Sequence, residues 1–258
     1  MVDSSCVTEC DNETIRSSVP SIEPKLNNVF SISPKIFCDE IDVFDIEQYN
    51  VLFLGESGAG KTTFRKVLRN IDCLKKTKNM HGTLKSTFKN TLFSINKQFV
   101  SVNILDTPGF MSASFDSERI NDIMRSVVTE CVSRDTMRID LILIVINGSR
   151  LMTVNQLANI SLVMNLLGQK SAARTCLLVT HFESRDIDDE KKWIADFTSN
   201  PNMRNIMAKC HGGILFTGAL EKNQFDNQSL CDSYIIKQCR WNDAFFDKLR
   251  GGGSVSIY

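Results

Sequence analysis

The chain has 258 residues, 42% of them hydrophobic, which suits one α/β domain with decorations and excludes a wholly disordered protein. Thirty Lys and Arg cancel thirty Asp and Glu, so no net charge argues for nucleic acid or an acidic membrane surface as a partner. Nine scattered cysteines lack paired zinc spacing and no secretory leader opens the chain, so reduced thiols in a cytoplasmic protein are expected.

Residues 1–46 are rich in Ser, Asn, Asp, Glu and Pro, and Pro20, Pro24 and Pro34 interrupt any long element. A flexible N-terminal arm is expected, with an end around Ile36, Phe37, Ile41, Val43 and Phe44 apolar enough to dock. A strand at Asn50–Leu54 then leads into Gly55-Glu56-Ser57-Gly58-Ala59-Gly60-Lys61-Thr62, and a helix runs on to about Arg69. That octet in a strand-loop-helix setting is a phosphate-binding loop. Its glycines let backbone N–H groups wrap a phosphate chain. Lys61 is expected to reach the β- and γ-phosphates and the Thr62 hydroxyl to bind Mg²⁺. Thr63, next in the helix, joins the cofactor-binding candidates.

Two extended runs follow, Thr91–Ile95 and Phe99–Leu105, and their short connection makes them antiparallel neighbours. Leu141–Ile146 is apolar throughout, as expected of a central strand buried on both faces, and is too short to span a bilayer. A helix over about Thr153–Leu167 ends at Gly168, and a strand over Thr175–Val179 follows. The remaining elements are a helix near Asp188–Ser199, a short strand Gly213–Phe216 and an amphipathic helix near Ser229–Leu249. Residues 251–258 read as a flexible tail, without a prenylation signal, and Val2 stands where myristoylation needs glycine. The expected fold is a three-layer α/β P-loop fold. Its six-stranded sheet is mainly parallel, with helices on both faces and one antiparallel edge strand. This order is that of a guanine-nucleotide-binding (G) domain, placed at 47–250.

Three further motifs fall in that order. Asp106-Thr107-Pro108-Gly109 ends the third strand, where Asp106 can hold Mg²⁺ and the Gly109 N–H can meet the γ-phosphate. Thr180-His181-Phe182-Glu183 ends a later strand, where the Glu183 carboxylate can take the two guanine N–H donors and His181 can stack on the base. Thr217-Gly218-Ala219 stands where a backbone N–H would meet the guanine carbonyl. For the first switch, Thr83, Thr87 and Thr91 are the candidates. Thr87 is preferred because it lies just before strand two, and with Lys61 and Gly109 it forms the catalytic set.

With these motifs the chain, over about residues 47–225, resembles the septin-related GTPases of the GIMAP (avirulence-induced-gene type) and Toc families. The Thr180-His181 pair, in place of the usual Asn-Lys, is the most discriminating likeness. Glu183 departs from the common aspartate. The resemblance implies GTP or GDP with Mg²⁺ as ligands and a second copy meeting the first across the nucleotide face. Any membrane attachment would come through a partner, and the effector is not indicated.

Phe110 follows Gly109, where many GTPases carry a water-orienting glutamine, so slow intrinsic hydrolysis is expected. Arg119, Arg125 and Arg134 are candidates to act on a partner's nucleotide. A scaffold that binds GTP without useful turnover and an ATP-using P-loop enzyme are the competing readings.

Overall fold

The computed structural model describes residues 30–31, 46–69, 85–95, 98–110, 117–134, 136, 138–220, 224 and 227–251. The elements in chain order are β1 (Phe30–Ser31), β2 (Glu47–Gly55), α1 (Lys61–Arg69), β3 (Thr87–Ile95), β4 (Gln98–Asp106) and α2 (Ser117–Ser133). They continue with β5 (Leu141–Asn147), α3 (Val154–Leu167), a 3₁₀ turn (Gln169–Arg174), β6 (Thr175–Thr180), α4 (Ile187–Ser199), α5 (Pro201–Met207), β7 (Ile214–Phe216) and α6 (Gln228–Leu249). The sheet order is β1-β3-β4-β2-β5-β6-β7.

All pairings from β4 through β2, β5, β6 and β7 are parallel, and β3 pairs antiparallel with β4. The six expected strands are therefore present. The difference lies at the edge, where Phe30–Ser31 from the arm pairs antiparallel with β3 and makes a seventh strand. The apolar segment 36–44 lies outside the described residues. β3 also starts at Thr87 rather than Thr91, because the hairpin register continues down to Thr87↔Asp106.

The two faces of the sheet are legible in single strands. In β5, Ile142, Ile144 and Ile146 enter one core cluster while Leu141, Leu143 and Val145 enter the other. Leu52 and Leu54 against Val51 and Phe53 repeat this alternation in β2. The period of two is what a strand covered on both faces requires. The first cluster is closed by Ile120, Ile123 and Val127 of α2, Leu157, Ile160 and Val163 of α3, and Phe197 of α4. The second is closed by Phe64 and Leu68 of α1 and by Phe245, Phe246 and Leu249 of α6. Each large apolar side chain so buried stabilises the fold by about 1.5–3 kcal/mol before entropy is counted.

Local signals set the helix ends. Thr153 caps α3 in a reciprocal box with Gln156, and Asp186 does the same for α4 with Asp189. The helix α5 has no boundary in the sequence reading, although Asn200 at its N-cap and Pro201 at its first position are suited to start one. Among the described residues, no helix is long and apolar enough to cross a membrane.

Candidate functional site

The sheet places the C-terminal ends of its parallel strands side by side, where ligands of open α/β sheets bind. β2 delivers residues 55–60 there, β4 delivers 106–109, β6 delivers 180–183 and β7 delivers 217–219.

In the phosphate loop Gly58 and Gly60 adopt φ of +75° and +93°, conformations that aim consecutive N–H groups inward. Ala59 is buried, Ser57 and Gly58 are exposed, and Thr62 and Thr63 occupy the first turn of α1. Lys61 is only 5% exposed, and its Nζ donates to the carbonyls of Gly55 (2.8 Å) and Glu56 (2.7 Å). Burial lowers its pKa from 10.5 to about 8, against the opposing pull of the Asp106 and Glu56 carboxylates. Such an ammonium gains when further negative charge arrives.

Asp106, 1% exposed, accepts from Thr62 Oγ1 at 2.9 Å on Oδ2, and Arg65 Nε stands 3.4 Å from the same oxygen. Its Oδ1 is buried without a hydrogen-bond partner. An orphaned carboxylate oxygen beside a threonine hydroxyl is a hard, oxygen-only donor set, the chemistry that suits Mg²⁺. Among the described residues, no three His, Cys, Asp or Glu side chains gather to hold a metal.

Thr107 Oγ1 donates to the Phe53 carbonyl at 2.7 Å, which ties the turn after β4 to the core of β2. Gly109 then presses against the phosphate loop: a Cβ there would stand 2.2 Å from Ser57 N. Backbone cannot yield as a side-chain tip can. Gly109→Ala is therefore expected to destabilise the chain by about 1–3 kcal/mol in denaturant unfolding, and a wild-type midpoint would contradict the contact. Arg119 Nε and Nη2 donate to the Gly109 carbonyl at 3.3 and 3.2 Å, bracing this turn from α2. Phe110 is 2% exposed and belongs to the first core cluster, so position 110 offers no side chain to a water.

The two halves of the site are joined through Thr180. Its Oγ1 lies 2.7 Å from the Ala59 carbonyl and 3.0 Å from the Ile146 carbonyl, both of which can only accept. The hydroxyl proton thus faces the carbonyls, and the His181 Nδ1–H donates to Oγ1 at 2.9 Å. His181 has φ of +63°, uncommon for a non-glycine residue. Glu183 Oε2 accepts from the Ala219 N–H at 3.4 Å, and Gly218 packs against the Glu183 backbone. From α6, Lys237 Nζ donates to the Glu183 carbonyl (3.2 Å) and Tyr234 Oη to the Gly218 carbonyl (3.2 Å). Thr217 Oγ1 is buried without a partner.

The candidate residues of the phosphate loop, Asp106, Gly109, Thr180–Glu183 and Thr217–Ala219 thus gather at one end of the sheet. Thr87 is the first residue of β3, exposed and directly opposite Asp106. Thr91 lies further along β3, opposite Val102, and Thr83 falls outside the described residues. Of the candidate arginines, Arg119 braces Gly109 and Arg125 pairs with Asp122 at 3.5 Å, while Arg134 is exposed just after α2.

Some contributors were not read from the sequence. Gln156 Nε2 donates to Glu56 Oε2 at 2.7 Å, clamping the phosphate loop to the start of α3. Burial raises the Glu56 pKa, while Gln156 and the charges of Lys61 and Arg150 oppose the shift. The capping box at Thr153 marks Gln156 as a cap, but its second bond crosses 100 residues and leaves no local signal. The same holds for Arg65 against Asp106 and for Lys237 and Tyr234 behind the last loops.

A phosphate loop, an aspartate after an antiparallel hairpin and two loops beyond, all on this sheet order, define the G-domain class of P-loop fold. The sequence model of the AIG1 family matches residues 49–231, and the chain belongs to that family. Two structures of Toc33 from Arabidopsis thaliana share the fold. One, a complex with GDP and Mg²⁺, is 17% identical with a TM-score of 0.54. The other, a dimerization-deficient mutant, is 15% identical with a TM-score of 0.52. Each comparison covers 80% of this chain and 85% of Toc33. A search of curated protein sequences finds no match.

Proposed function

We propose that this chain binds GTP and GDP with Mg²⁺, hydrolyses GTP slowly and acts as a nucleotide-dependent switch that pairs with a second copy in its GTP state. The observation that carries the reading is the meeting of Lys61, Thr62 and the orphaned Asp106 Oδ1 at one end of the sheet with Glu183 and Ala219. Lys61 and the loop N–H groups take the phosphates. Thr62 and Asp106 would hold Mg²⁺, which supplies positive charge to the phosphate oxygens when bound. Thr87, opposite Asp106, is placed to join them and to sense the γ-phosphate together with the Gly109 N–H. His181 covers the base, Glu183 accepts its N–H donors and the 217–219 loop meets its carbonyl.

Slow turnover follows from Phe110. Its ring is packed in the core, so no side chain at this position orients the attacking water. An arginine from a partner can raise such a rate by about 10³–10⁵. Pairing rests on the family resemblance and on the description of one Toc33 structure as dimerization-deficient.

Phosphate release measured in single turnover, with protein in excess and over a range of protein concentrations, tests this reading. The expected result is slow hydrolysis whose rate constant rises with protein concentration. Release that is slow but independent of concentration would remove the pairing. Tight GTP binding with no release would leave a scaffold, which the buried Phe110 also permits.

A further inference from the structure

At the opposite end of the strands from Lys61, the structure has a second concave site. The starts of β2, β5 and β6, the loop before β7 and the end of α6 enclose a cleft of about 460 Å³. Arg138, Arg174, Lys248 and Arg250 line it against a single carboxylate, Asp140. In a chain of zero net charge this is a concentrated excess of cations.

Asp140 does not neutralise them. Its Oδ2 accepts from the Asn50 N–H at 2.9 Å and its Oδ1 pairs with Arg138 at 2.5 Å, so it is committed to one of the four. Arg250 makes a looser pair with Glu47 at 3.6 Å. Arg174 Nη1 donates to the Ile139 carbonyl at 3.0 Å, which aims the guanidinium and leaves it without a carboxylate partner among the described residues. The Lys248 Nζ makes no hydrogen bond or ion pair among the described residues, and it lies 3.8 Å from where a Gly213 Cβ would stand. Burial pushes the Cys176 thiol in the wall up to about 12, so it adds no negative charge.

The negative end of the α6 dipole accounts for cations at Lys248 and Arg250. It does not account for Arg138 and Arg174, which reach the same cleft from the segments before β5 and β6.

We propose that this cleft is a second anion site, which takes a phosphate group carried on a small organic ligand between Arg174 and Lys248. A guanidinium offers two parallel donors to phosphate oxygens and an ammonium a mobile point charge, so the pair suits a phosphate monoester or pyrophosphate. The volume lies within the small-molecule range, and Leu141 and Leu249 supply an apolar wall for the rest of the ligand. The same chemistry is offered by a soluble phosphorylated compound and by a phosphoinositide headgroup.

The test uses the full chain carrying Lys61→Ala, which disables the phosphate loop and makes the result independent of the guanine reading. Inorganic pyrophosphate is titrated calorimetrically, and sedimentation with vesicles containing phosphatidylinositol 4-phosphate is measured in parallel. Saturable pyrophosphate binding that weakens roughly tenfold or more with Arg174→Gln plus Lys248→Gln supports the site and a soluble ligand. Vesicle binding alone, lost in the same variant, supports the site and assigns a lipid headgroup. Lys248→Gln alone breaks no hydrogen bond among the described residues, so its weakening of either probe keeps the test valid if the double variant misfolds. Binding of neither probe, or binding unchanged by these substitutions, would overturn the proposal.

Discussion

Lys61→Ala is expected to weaken GTP and GDP by roughly 10²–10⁴, because in the proposed function it removes the charge-assisted hydrogen bonds that this ammonium gives to phosphate. The same residue sets a pH dependence. Its pKa is held down to about 8, and a bound polyphosphate favours the charged form, so binding takes up a proton above that pH. Affinity should therefore be level below pH about 8 and fall above it, by up to tenfold per pH unit. Stability of the chain without nucleotide runs the other way. Burying the ammonium costs stability below pH about 8, and the cost fades as pH rises toward the ordinary value of 10.5. Fluorescent-nucleotide titrations across this range check the first trend and thermal melts check the second. An affinity that rises through pH 8 would contradict the role given to Lys61.

Glu183→Ala carries the other large effect. If its carboxylate accepts two guanine N–H donors, its removal should cost roughly 10²–10³ in GTP affinity and leave ATP affinity unchanged. Glu183→Asp retains the carboxylate and should keep most of the guanine preference. Glu183 Oε2 accepts from the Ala219 N–H, the group assigned to the guanine carbonyl, so base binding exchanges this internal bond for two outward ones. Competition titrations with GTP, GDP and ATP on the three proteins read the outcome. Equal GTP affinity in the alanine variant would mean that Thr180–Glu183 does not read the base.

What could be read from the chain alone followed the range of the interactions. The apolar run Leu141–Ile146 announces a strand covered on both faces, and its side chains do divide between two cores. The octet 55–62 and the hairpin before Asp106 carry their meaning in a few consecutive residues, and the AIG1 match agrees with the likeness they give. The two-residue strand Phe30–Ser31 could not be read, because nothing in so short a piece separates a strand from the polar arm around it. The start of β3 was placed late for a related reason. Thr87-Phe88-Lys89-Asn90 is polar at three of its four positions, and only its pairing with Asn103–Asp106 makes it a strand.

Within the site, the groups that touch ligand in the proposed function sit in local motifs, but the groups that hold them do not. Thr180 reads as part of a base-recognition loop, yet its hydroxyl lies against Ala59, 121 residues earlier in the chain. Gln156 holds Glu56 and Arg65 holds Asp106 in the same way, through contacts that exist only once the sheet has formed.

The central claim is that the site prefers guanine nucleotide. Displacement of a fluorescent GTP analogue in the presence of Mg²⁺, with Lys61→Ala as the control, tests it most directly. The account predicts displacement by unlabelled GTP and GDP but not by ATP, and binding to the control weakened by roughly 10²–10⁴. Equal displacement by ATP would contradict it.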